Sequence, residues 1–153
     1  MAYYALVDNS DKLSGYPNSG KVIGAIRWTG DGTPTAPSGQ SYVEYTIQDI
    51  KNGGSNTNDP DSHRSGGGDG SEAEQDGYYF SDVKKFSNKK LGNSWNFNTT
   101  TYQFEPPSNP GPEPFLTATQ KKAGFLYEWN ESNYNSDPST GWTLISYPTQ
   151  SLN

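Results

Sequence analysis

Gly15, Gly20 and Lys21 stand at the Gly-x4-Gly-Lys spacing of a phosphate-binding loop. That chemistry needs a strand before the loop, a helix after it, and a Ser or Thr behind the lysine to hold magnesium. Val22 occupies the hydroxyl position, and Lys21–Thr29 (KVIGAIRWT) carries on as a strand, so the segment reads as a turn. Asp59 and Asp61 place two carboxylates at alternating positions, as a calcium loop does. Its fifth position is then His63 and its sixth Arg64 where glycine belongs. Gly67–Glu72 (GGDGSE) matches one turn of a calcium-binding β-roll in part, with Glu in place of Asp and no second copy to stack on. His63 is the only histidine, and it lies in a Gly/Ser/Asp tract, which leaves the many serines without a histidine base. Paired carboxylates would suit glycoside hydrolysis. The candidates on ordered segments are Glu44, Asp49, Glu105 and Glu128, and they read as surface strand carboxylates. No catalytic residue, metal site or cofactor is expected, and the chain reads as a non-enzyme.

The tract that holds His63 runs from Asn52 to Gly77. It contains six acidic residues against one Arg, a local charge of −5 in a chain whose total is −6. The remainder is nearly neutral, so acidity belongs to this one segment. A structureless insertion of this length is unusual inside a compact domain. It is expected either to face outward as a flexible loop or to be ordered by neighbours in an assembly. The acidic balance argues against phosphate-backbone binding, so no nucleic-acid partner is expected. The lysine pairs Lys84-Lys85, Lys89-Lys90 and Lys121-Lys122 read as solvated surface, with an acidic tract of a neighbouring copy as an alternative contact.

The elements that would position such residues are strands. Leu, Ile, Val and Phe make up 22 of 153 residues, about 14 %, below the roughly 20 % of a well-stocked core. Four Trp, eleven Tyr and six Phe compensate, since each buries a large area while keeping an edge for polar contact. Such a thin aromatic core points to dependence on a partner or an oligomer for part of its burial. With no cysteine, the fold uses no disulfide or thiolate site, which suits a chain made in a reducing cytoplasm. The opening MAYYALVDNSDK has neither the basic region of a signal peptide nor the length of an anchor. No later run approaches 18 apolar residues, so no membrane contact is expected.

Tyr3–Asp8, Lys21–Thr29 and Ser41–Ile50 read as strands. The alternation sets Val22, Gly24, Ile26 and Trp28 on one face, and Val43, Tyr45 and Ile47 on another. Ser81–Leu91 has a helix's start and stop signals, with Ser81 as N-cap and Gly92 past the end. Ser94–Phe104 reads as a bent strand or hairpin. Pro106–Pro114 (PPSNPGPEP) is a stiff arm. Residues 125–147 form an aromatic hairpin with Phe125, Tyr127 and Trp129 on one face and Trp142 and Leu144 on another. The expected fold is mainly β, a small antiparallel sandwich or barrel-like sheet with long loops and at most one short helix. Its organisation is an N-terminal β segment (1–51), the acidic loop (52–77) and a C-terminal β segment (78–153), with the two β segments forming one domain. Trp28, Trp95, Tyr127, Trp129, Tyr134 and Trp142 are the candidate interaction residues, either as core or as a sugar-stacking platform.

The opening MAYYALVDNSD resembles the start of small virion-associated proteins of tailed bacteriophages, notably those infecting cyanobacteria. The closing Leu126-Tyr-Glu-Trp129-Asn-Glu131 and Gly141-Trp142-Thr-Leu-Ile145, after Phe104-Glu-Pro-Pro107, are similar to an aromatic hairpin at the ends of phage tail and other structural proteins. The resemblance implies a virion location and a role in assembly without catalytic residues. It implies other virion proteins as partners, and a homo-oligomer or many copies per particle. A tail, baseplate or fibre-attachment role is slightly favoured over capsid decoration. A carbohydrate-binding module, taking a host-surface glycan on exposed Trp and Tyr, is the alternative from another class.

Overall fold

The computed structural model describes residues 2–45 and 72–146. Asp49, the calcium-like motifs from Asp59 to Ser71, and His63 lie outside the described residues. The fold is mainly β and antiparallel, with no closed barrel. Its principal sheet has five strands: β1 (Ala2–Asp8), β2 (Ser19–Trp28), β3 (Gln40–Tyr45), β4 (Tyr78–Phe80) and β5 (Lys85–Phe86). Their order is β3-β1-β2-β4-β5, so strands from both sides of the acidic tract share one sheet. Two separate hairpins complete the strand set of the described residues. One joins β6 (Asn96–Asn98) to β7 (Gln103–Glu105), the other β8 (Phe125–Trp129) to β9 (Trp142–Ser146).

The alternation proposed for the second strand is broken by a β-bulge. Leu6 pairs with Gly24 but Val7 pairs with Val22, which leaves Ile23 as the extra residue. Residues paired directly across antiparallel strands share a face, and one inserted residue inverts the alternation. Val22 therefore lies on the side of Ala25 and Arg27, not with Gly24, Ile26 and Trp28 as expected. The bulge is held from outside the sheet. Asp76 N–H donates to Val22 O (2.9 Å), Gly77 O accepts from Val22 N–H (2.8 Å), and the Gln75 amide donates to Ile23 O (3.1 Å). On that face Ala5, Val7, Val22 and Phe86 form a buried cluster, with Val43, Tyr45, Ala73 and Tyr79 packed against it. The expected inward face of the third strand, Val43 and Tyr45, is thus correct; Ile47 lies outside the described residues.

The helix expected over Ser81–Leu91 does not form. Ser81–Lys84 is the loop of the β4–β5 hairpin, with Lys84 in a left-handed conformation (φ 55°). Ser81, the supposed cap, gives its N–H (2.9 Å) and hydroxyl (3.1 Å) to Asn18 O instead. The apolar stripe of Val83, Phe86 and Leu91 is too narrow to bury a helix. Pairing as a strand buries Phe86 to 3 % exposure while Val83 stays outside.

Two short α-helices occur elsewhere in the described residues, where at most one was expected: α1 (Ala118–Lys122) and α2 (Glu131–Ser136), the second followed by a 3-10 turn over Pro138–Thr140. Thr117 caps α1 in a reciprocal box: its hydroxyl accepts Gln120 N–H (3.1 Å) while the Gln120 side chain accepts Thr117 N–H (2.8 Å). Gly124, at φ 81°, ends that turn in a conformation costly for other residues. Asn130 caps α2, accepting Asn133 N–H at 2.9 Å.

Candidate functional site

The second core cluster brings together most of the aromatic residues singled out from the sequence. Trp129 and Trp142 are directly opposite each other in the β8–β9 hairpin. Trp95, from the loop before β6, closes a triangle with them. The ring centroids are 5.6 Å (Trp95–Trp129), 5.8 Å (Trp95–Trp142) and 5.2 Å (Trp129–Trp142), all edge-to-face. This geometry sets the positive edge of one ring on the negative face of the next. Tyr134 of α2 tilts against Trp129 at 5.4 Å, and Tyr127 packs at the margin. Trp28 stands apart at the end of β2, half-buried, donating to Gly32 O at 2.9 Å. Trp95, Trp129 and Trp142 are 2 %, 7 % and 8 % exposed. Their faces are consumed by the fold, so a sugar platform built on Trp129 and Trp142 has no open indole to offer.

A carboxylate latch fixes this cluster. Glu131 Oε1 accepts from the Trp129 indole (2.9 Å) and the Ser94 hydroxyl (2.7 Å), and Oε2 accepts from Ser94 N–H (3.1 Å). A Cβ on Gly92 would collide with Glu131 Oε1 and the Trp129 indole nitrogen, so the latch requires glycine there. Burial pushes the Glu131 carboxyl upward. The hydrogen bonds from Trp129 and Ser94, with the charge of Lys90, outweigh it and hold the group below its ordinary value. A carboxyl lowered on folding contributes stability that is present above its unfolded value, about pH 4.3, and lost as pH falls through the folded one. Melting temperature measured from neutral to acidic pH should therefore fall more for the native chain than for Glu131→Gln. Parallel curves would contradict the latch.

A buried polar network joins the principal sheet to the β6–β7 hairpin. Asn88 acts as a strand surrogate: its amide donates to Phe104 O (2.8 Å) and its carbonyl accepts Phe104 N–H (2.7 Å). Gln103 accepts Asn88 N–H (3.1 Å) and donates to Phe86 O (2.7 Å) and Tyr102 O (3.0 Å). Ser87 accepts Tyr78 N–H (2.9 Å) and donates to Asn88 O (3.0 Å). Asn88, Gln103 and Ser87 are all buried. Next to them Tyr16, Phe80, Phe97 and Tyr102 form an aromatic knot, with Tyr16 5.5 Å from Phe80 and 5.1 Å from Phe97.

The Pro106–Pro114 arm is fastened to the tryptophan cluster. The Trp142 indole donates to Gly111 O at 2.8 Å, and Gly111 N–H donates to Pro107 O at 2.9 Å. Pro107, Gly111, Glu113 and Leu116 are buried along this segment. Immediately beyond the prolines, Phe115 is 79 % exposed, the most exposed large apolar side chain among the described residues. Phe115 was not among the candidate interaction residues. A Phe between a proline arm and a Thr-x-x-Gln capping signature was the available signal.

The other sequence motifs are dispersed or structural. Gly15–Lys21 is a turn, with Tyr16 N–H to Leu13 O (2.9 Å) and Ser19 N–H to Tyr16 O (3.1 Å), running directly into β2. Glu44, Glu105 and Glu128 lie on three different sheets. Among the described residues no group of three or more His, Cys, Asp or Glu is placed to hold a metal ion. No described helix is long and apolar enough to cross a membrane. Comparison with protein-family models, curated proteins and solved structures gave no match.

Proposed function

We propose that this chain is a non-enzymatic structural subunit of a tailed-phage virion, acting through protein–protein assembly at the tail, baseplate or fibre attachment. Capsid decoration is the alternative position on the same particle. The observation that best supports an assembly role is the Phe115 projection. The Trp142 indole fastens the proline segment at Gly111, and Phe115, four residues further on, is 79 % exposed. Burying so exposed a ring in a partner contributes about 1.5–3 kcal/mol. The virion assignment itself rests on the resemblance of the chain's opening and its terminal hairpin.

Phe115→Ser should leave the melting temperature within a few degrees of the native value and strongly reduce incorporation into particles. The measurement is competition between native and variant chains during particle assembly, read by quantitative mass spectrometry. Equal incorporation of the two would remove Phe115 from the interface.

A further inference from the structure

We propose that the cleft walled by Lys21, Lys89 and Lys90 is a docking site for an acidic peptide segment of a partner protein. The cleft has a volume of about 450 Å³, and Leu13, Tyr78 and Phe104 supply its apolar lining. That volume lies within the roughly 300–1,000 Å³ of ligand-binding clefts. Three lysines and one acidic residue, Asp76, line it, a formal local charge of +2 in a chain of −6. The lysines come from separate parts of the sheet: Lys21 is in β2, and Lys89 and Lys90 follow β5.

The chemistry of the walls selects the ligand class. Lysine presents a point charge on a flexible stem and does not impose the planar two-point geometry with which arginine reads phosphate or carboxylate. The Lys89–Asp76 contact is long, 3.9 Å, with side chains 48 % and 42 % exposed. Exposed pairs of this kind contribute little, so an incoming carboxylate replaces Asp76 at small cost. Two exposed lysines, Lys89 and Lys90, with half-buried Lys21 around a half-apolar floor suit an extended chain carrying several carboxylates better than a small ligand that must be oriented by buried donors. As an assembly contact, the site rests on the reading above. As a binding site it is tested on the isolated full-length protein, so the two can fail separately.

The probe is fluorescein-labelled hexaglutamate, with hexaglutamine as the neutral control and inorganic phosphate as competitor, followed by fluorescence anisotropy. Hexaglutamate should bind and hexaglutamine should not. Raising ionic strength from about 0.05 to 0.5 M should abolish binding through screening. Lys21→Gln/Lys89→Gln/Lys90→Gln should weaken it roughly tenfold or more, on the scale expected for three exposed ion pairs. Lys121→Gln/Lys122→Gln on α1 should leave it within about twofold. Asp76→Asn should tighten it, a gain that misfolding cannot imitate. The proposal is overturned if hexaglutamate does not bind, if both lysine variants weaken binding equally, or if phosphate displaces the peptide at equal concentration of charge.

Discussion

Trp129→Ala should cost about 3–5 kcal/mol, a large share of the roughly 5–15 kcal/mol that holds a domain of this size together. The indole touches Trp95, Trp142 and Tyr134 and donates the hydrogen bond that seats Glu131. It also fills the space that Gly141 leaves open, where a Cβ would come within 2.5 Å of its ring. Truncation removes these contacts at once and leaves a cavity that the short hairpin cannot close. Trp28→Ala is the matched control: half-buried at a strand end, it should cost about 1 kcal/mol, within the ordinary range for single substitutions. Urea unfolding followed by circular dichroism would show the difference as a shift in midpoint. Similar midpoints for the two variants would contradict the tryptophan cluster as the centre of the second core.

Asn88→Ala should cost about 2–4 kcal/mol despite removing no apolar contact, because it orphans Phe104 N–H and C=O in a buried setting. Gln103→Leu preserves volume but strips Asn88 N–H and Phe86 O of their partners, and should cost a similar amount. The two side chains act as one network, so the double variant should lose less than the sum of the singles. An additive result from chemical denaturation would mean that the two residues act independently.

The strands and the aromatic hairpin were legible because each rests on local alternation. Phe125, Tyr127 and Trp129 show it, and so do Val43 and Tyr45. Three features were not legible, for separate physical reasons. Ile23 becomes a bulge only through pairing of Leu6 and Val7 with residues some sixteen positions away, and that inverted half of the β2 face. The helix signals of Ser81–Leu91 were outweighed by a hairpin that buries Phe86, a tertiary gain that propensity does not register. Asn88 pairs with Phe104 as a strand would, but polar side chains give no periodic signal. By contrast, Thr117-x-x-Gln120 was a readable capping box.

The same distinction applies to function. Five of the six aromatic residues selected from the sequence do meet in space, because clustering follows from two facing strands and one loop. Whether their faces point inward or to solvent depends on what else packs there, and Trp95 supplies the missing side from more than thirty positions away. The lysine cleft was invisible for the same reason: Lys21 and the Lys89-Lys90 pair converge only through the β2–β4–β5 pairing.

The proposed role of this chain as a virion subunit can be checked by quantitative mass spectrometry of purified particles from the genome that encodes it. The chain is expected at a fixed copy number per particle, retained through density-gradient purification and high-salt washing. Particles that are infectious and intact yet contain none of it would contradict the claim.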